Sequence, residues 1–198
     1  GPIERVRLGN IEIFNPPTGS YEFNDLLRGL NRYRHQYPEE FGDIEIGGIA
    51  GLPLISNYLT FLDLQSGSLI LRPLDSNPRT FKAVPPYASV SYQFIQGNIW
   101  FPVTANGEQV IAHLDTGNPF LDLDSSLIDS QNGTLSSLMV DKIEFNGFIK
   151  NSSYRLVDFG KRYQSVSLDV RAVFGNIALK PFIITIGPQE QRIFFERK

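Results

Sequence analysis

Apolar and polar residues alternate in short runs along most of the chain, and a 3.6-residue period is rare. Alternation of period two belongs to strands that bury one face. Val6–Phe14, Tyr58–Leu62 and Ser68–Leu71 read as strands, the last two joined by a turn at Gln65-Ser66-Gly67. Asn98–Val103 and Gln109–Leu114 flank Asn106-Gly107. Asn-Gly between two apolar runs is a strong hairpin signal, because both residues tolerate positive φ. Ile143–Phe148, Phe182–Ile186 and Arg192–Glu196 complete the predicted strands. The best helical pattern is Asn24–Tyr33, where Leu26, Leu27, Leu30 and Tyr33 recur at helical spacing, Asn24 offers a cap and Pro38 follows. Ser125–Ile128 is a second, weaker helical segment. Many short strands punctuated by Gly and Pro predict an all-β barrel or sandwich with one or two short helices.

The pattern breaks between Leu74 and Pro86, a polar stretch with three prolines before Tyr87. That stretch reads as a domain boundary, the other reading being a long loop inside one domain. The two sides echo each other. Ile46-Gly47-Gly48-Ile49-Ala50-Gly51-Leu52 leads into strand, turn and strand, and so does Ala172-Val173-Phe174-Gly175-Asn176-Ile177. Nothing before residue 74 matches the stretch from Val90 to Asp124. Residues 1–74 therefore read as the back half of a unit, 75–84 as a linker and 85–198 as a whole unit. Gly1-Pro2 has the form that a tag-cleaving protease leaves, so the native chain is expected to extend upstream.

Composition narrows the chemistry. Of 198 residues, 41% are hydrophobic and 12% aromatic, enough to pack a core and to argue against disorder. A net charge of −3 and no basic stripe argue against a nucleic-acid partner. No apolar run approaches the roughly 18–20 residues of a helical membrane span. Cysteine is absent, which excludes disulfides, thiolate catalysis and Cys-based metal centres. His35 and His113 share no metal-ligand spacing, and His113 reads as a strand or rim histidine. No Gly-x-Ser-x-Gly elbow occurs, and Gly47-Gly48 with Gly51 lacks the Lys-Ser/Thr of a phosphate loop. Arg28, Arg32 and Arg34 read as a solvated helix face. Asp122, Asp124 and Asp129 lack calcium-loop spacing. No metal and no cofactor is expected.

What remains is Asp115-Thr116-Gly117, at the end of the apolar run Val110–Leu114. A carboxylate at the end of a buried strand is costly unless paired or protonated. Gly117 permits close approach of another backbone, and the Thr116 hydroxyl can bond main chain or reach across an interface. A second reading of Asp115 is an Asx-turn aspartate that caps a strand end.

From Pro102-Val103 through Asn106-Gly107 to Leu114-Asp115-Thr116-Gly117, the chain resembles the opening of a retropepsin-like or pepsin-like aspartic protease lobe. Ala172-Val173-Phe174-Gly175 resembles that family's second signature, which packs behind the aspartate loop, and Gly47–Leu52 resembles the same signature of a preceding lobe. The resemblance implies an acid-protease-like closed barrel lobe over 85–198 and an aspartic endopeptidase acting on an extended peptide. It also implies Asp115 as catalytic acid/base, with Thr116 and Gly117 forming the supporting loop. The family's dyad needs two carboxylates about 3 Å apart that share one proton. Asp25, Asp43 and Asp63 lack a following Thr/Ser-Gly, so the second carboxylate is expected from a missing upstream segment, a separate chain made by cleavage, or Asp115 of a second copy. Asn118 stands where the family usually has serine or alanine, and an amide there is expected to alter hydrogen bonding at the carboxylate. Ser130–Thr134 is the expected flap tip, without a flap tyrosine motif. The family is common outside the cytoplasm, which points to a periplasmic, secreted or vacuolar setting. The alternative is a protease-like fold without proteolysis, serving as a binding or dimerisation module.

Overall fold

A computed structural model describes residues 4–8, 11–14, 31, 35, 51, 55–74, 87–128, 135–145, 154–160 and 163–198. The chain divides into two compact units, Gly1–Leu54 and Ile55–Lys198. In the first, β1 (Arg5–Leu8) and β2 (Ile11–Phe14) form an antiparallel hairpin with Val6 opposite Ile13. The single strand predicted over Val6–Phe14 is thus two strands, ending at Leu8 and resuming at Ile11. Apart from Asn31, the predicted helix 24–33 lies outside the described residues, as do the predicted linker 75–84, the flap tip 130–134 and, save Gly51, the glycine run 46–52.

The second unit is all-β, as the sequence predicts, and its larger sheet curls into a half-barrel. Its strands are β5 (Tyr87–Ser91), β6 (Gln93–Ile95), β7 (Asn98–Ala105), β8 (Glu108–Leu114), β9 (Leu121–Asp124), β10 (Leu138–Val140), β11 (Ile143–Glu144), β12 (Tyr154–Val157), β13 (Val170–Phe174), β14 (Phe182–Gly187) and β15 (Arg192–Arg197). Ahead of them come β3 (Leu59–Asp63) and β4 (Ser68–Arg72). The larger sheet runs β11-β10-β7-β8-β13-β9-β12, with β6 also on β7. The smaller runs β4-β3-β14-β15-β5, so residues 59–72 share a sheet with the C-terminal strands. A 3-10 turn (Ser125–Leu127) stands where Ser125–Ile128 was predicted, and a four-residue helix, α1 (Asn176–Leu179), follows β13.

Burial alternates along β8, where Val110, Ala112 and Leu114 are buried, whereas β7 buries Ile99, Trp100 and Phe101 in succession before alternating at Val103 and Ala105. The two sheets meet through aromatic rings, Phe101 against Phe195 at 5.7 Å and Phe145 against Phe182 at 5.1 Å, with Phe174 of the larger sheet also packed on Phe101 and Phe145 at 5.3 and 5.1 Å. A second cluster lies around Trp100, Phe159, Val166, Val170 and Val173. The β7–β8 turn has Asn106 at φ 50° and Gly107 at φ 81°, which fits a primed two-residue hairpin turn.

The strand order around β13 positions the site. β13 runs between β8 and β9, parallel to the first and antiparallel to the second. The chain leaving β8 therefore loops past the end of β13 before returning as β9. That loop is residues 115–120.

Candidate active site

Leu114 is the last core residue of β8, and Asp115 follows it half-buried. Its N–H donates to the Phe174 carbonyl at 3.1 Å, extending the β8–β13 ladder by one residue. Its carbonyl accepts from Asn118 N–H at 3.1 Å, closing a tight turn. Its carboxylate Oδ1 accepts from Gly117 N–H at 3.0 Å, an Asx turn. A Cβ at position 117 would stand 3.2 Å from that oxygen, so glycine gives the carboxylate room to lie over the amide. Thr116 and Gly117 are exposed, and the Thr116 hydroxyl bonds to no described residue.

The remainder of the loop is held by main chain from the β13–α1 junction. Gly175, Asn176 and Ile177 donate their N–H groups to the carbonyls of Phe120, Asn118 and Pro119, at 3.0, 2.7 and 3.1 Å. A Cβ on Gly175 would lie 2.2 Å from the Asn118 and Phe120 oxygens alike. Only glycine lets the two segments come this close. The sequence singled out both segments, and the fold brings them together.

Asn118 does not act on the carboxylate as its position in the sequence suggested. Its side chain is buried, with Nδ2 donating to Asp122 Oδ2 at 2.9 Å and Oδ1 accepting from Phe120 N–H at 3.2 Å. The amide thus caps its own loop and faces a different aspartate. Asp122 is fully buried and takes both arms of Arg155, Nε to Oδ1 at 2.7 Å and Nη2 to Oδ2 at 2.8 Å. This network was not read from the sequence. The available signal was two aspartates in a run, Leu121-Asp122-Leu123-Asp124, that proves wholly buried.

Asp122 and Asp124 both bond to groups within the fold. Asp124 accepts from Ser126 N–H and Phe159 N–H, each at 2.8 Å. Burial pushes its carboxyl up, but the bonds from Ser126 and Phe159 and the charge of Arg171 outweigh this and hold it below the ordinary range. Among the described residues no cluster of His, Cys, Asp or Glu could hold a metal. His113 stacks on Trp100 at 4.6 Å and its Nε2 pairs with Asn98 Oδ1 at 3.1 Å, the environment of a structural histidine. A groove of about 470 Å³ is lined by Asp124, Phe159, Tyr163, Asp169 and Arg171 among others, and Asp115 is not part of it.

No known protein family matches the sequence, and no curated protein does. Solved structures resemble the chain. A retropepsin-like aspartic protease from Rickettsia conorii aligns at 14% identity over 56% of this chain and 90% of its own, with a TM-score of 0.35. An aspartic proteinase from Irpex lacteus aligns at 13% identity over 98% of this chain and 76% of its own, with a TM-score of 0.48. The basic 7S globulin from soybean aligns at 12% identity over 69% of this chain, with a TM-score of 0.45, and this chain spans 50% of that protein's length. The solved structures that this chain resembles thus include retropepsin-like and pepsin-like aspartic proteases and also basic 7S globulins.

Proposed function

We propose that the chain is the Asp-Thr-Gly-bearing part of an aspartic endopeptidase, with Asp115 as one carboxylate of a shared-proton pair. The observation that carries this reading is the seating of Asp115. Its carboxylate is oriented by Gly117 N–H in a loop whose tip is exposed and whose base is locked on Gly175. The second carboxylate comes from an upstream segment, a separate chain or a second copy.

In such a pair the ionised carboxylate removes a proton from a bound water, whose oxygen attacks the scissile carbonyl carbon. The protonated partner donates to the carbonyl oxygen. The tetrahedral intermediate then collapses as the amide nitrogen is protonated and the C–N bond breaks. The apparent pKa values belong to the pair rather than to either residue. Thr116 and Gly117 supply the turn that keeps Asp115 presented. The substrate is an extended peptide that adds like a strand, and the mechanism requires no metal or cofactor.

Asp115→Asn is expected to abolish peptide cleavage at acidic and neutral pH, assayed on a peptide mixture. Full activity in that variant rejects the assignment. A wild-type protein that cuts nothing and fails to bind a statine-type peptide favours the binding or dimerisation module instead. Mass in solution, measured alongside, separates a second copy from the other two sources of the partner acid.

A further inference from the structure

A carboxylate with no solvent exposure, in a strand of apolar neighbours, is costly unless charge-paired and fully hydrogen-bonded. Asp122 meets that condition through the strand register. β9 and β12 run parallel with Asp122 directly opposite Arg155. The guanidinium fork takes both carboxylate oxygens and reaches Asn118 Oδ1 at 3.4 Å. Asn118 Nδ2 adds a third bond to the carboxylate. The guanidinium carbon sits 3.9 Å from the centre of the Phe120 ring. Three partners of this fork, Asn118, Phe120 and Asp122, lie in the loop carrying Asp115 or two residues beyond it.

Asp122 is buried but 48% of the Arg155 side chain is exposed, so solvent screens the attraction and the pair adds only modest net stability. A bidentate fork adds a fixed orientation. We infer that Asp122 and Arg155 are positioning residues for Asp115, holding 118–120 by side chains while 175–177 hold it by main chain. The catalytic consequence rests on the endopeptidase reading, whereas the ordering of the loop does not.

The double variant Asp122→Asn/Arg155→Met removes both charges, so the buried carboxylate is not left without its cation. Arg155→Lys keeps the charge and loses the fork. The readout is amide exchange at Gly175, Asn176 and Ile177, whose N–H groups enter the loop carbonyls. These amides lie far in sequence from both substituted positions. In the double variant they are expected to exchange about tenfold faster, and in Arg155→Lys by an intermediate factor, with β14 and β15 amides unchanged. In the same double variant kcat is expected to fall on the order of tenfold to a hundredfold with KM held, the pattern of a misplaced reacting group. Wild-type exchange at those three amides in the folded double variant overturns the inference. Faster exchange with unchanged kcat overturns its catalytic half. If the wild-type protein cuts no peptide, the endopeptidase reading fails while the exchange result still decides whether the fork orders the loop. Should the double variant not fold, Arg155→Lys carries the same exchange test.

Discussion

A methyl group at position 175 would have to share space with two carbonyl oxygens 2.2 Å away, both backbone atoms that no rotamer change can move. Gly175→Ala must therefore separate β13 from the aspartate loop. The expected cost is about 3 kcal/mol or more, above the usual range for overpacking because three loop hydrogen bonds go with it. Urea unfolding of the variant measures this, and a loss under about 1 kcal/mol would mean that the segments part easily. Gly175 was legible in the sequence because its identity follows from a steric requirement that a short motif records, and the segment it packs on, the Asp115 loop, was singled out with it. Asn118 was legible as unusual but not in direction. Whether its amide faces Asp115 or Asp122 depends on a strand that begins more than thirty residues later, at Tyr154. The partnership of Asp122 with Arg155 was invisible for that reason too, since parallel register leaves no local signature.

Elements whose cause is local were read well. Asn106-Gly107 specifies its turn through positive φ at both residues, and the strands on either side appear within two residues of expectation. The Asn106 side chain does more than turn the chain: it donates to Leu127 O at 2.9 Å and accepts from Ser136 and Ser137 N–H at 2.8 and 3.1 Å. β13 was noticed only as an apolar run, because a strand buried on both faces loses its alternation. β5, β6, β9, β10 and β12 are not among the predicted strands; β12 is short and leaves Leu156 exposed, so no buried face marks it. The 3-10 turn at Ser125–Leu127 depends on Asp124, whose carboxylate caps it and also ties Phe159. Because its folded carboxyl is held below the ordinary value, its stabilisation is present above the unfolded pKa of about 3.9 and is lost as pH falls through the lower folded one. Asp124→Asn is expected to cost about 1–2 kcal/mol at neutral pH. Thermal melts across pH should show the gap between variant and wild type closing below about pH 4. A gap that persists unchanged into strong acid contradicts the role given to the charge.

Across the whole molecule, the smaller sheet unites segments that the sequence pattern had divided. β14 pairs on one side with β15 and on the other with β3, Thr185 facing Phe61 and Ile183 facing Asp63. Lys198 beyond β15 also meets Asp63, holding that carboxyl well below the usual range. A fragment of residues 85–198 would leave the β14 edge open along Phe182–Gly187, where most positions are buried. Unpaired apolar edges invite association. The fragment 85–198 is expected to melt lower than 55–198 and to self-associate, which calorimetry and light scattering can follow. Equal melting of the two fragments would show that β3 and β4 add little. The register that makes this sheet also sets an order in time. The β3–β4 hairpin leaves the ribosome long before its neighbour β14 is synthesised, and an isolated two-stranded hairpin is only marginally stable. Until translation reaches Ile183, that hairpin carries an open flank available to chaperones, and pairings between distant segments make the final closure slow.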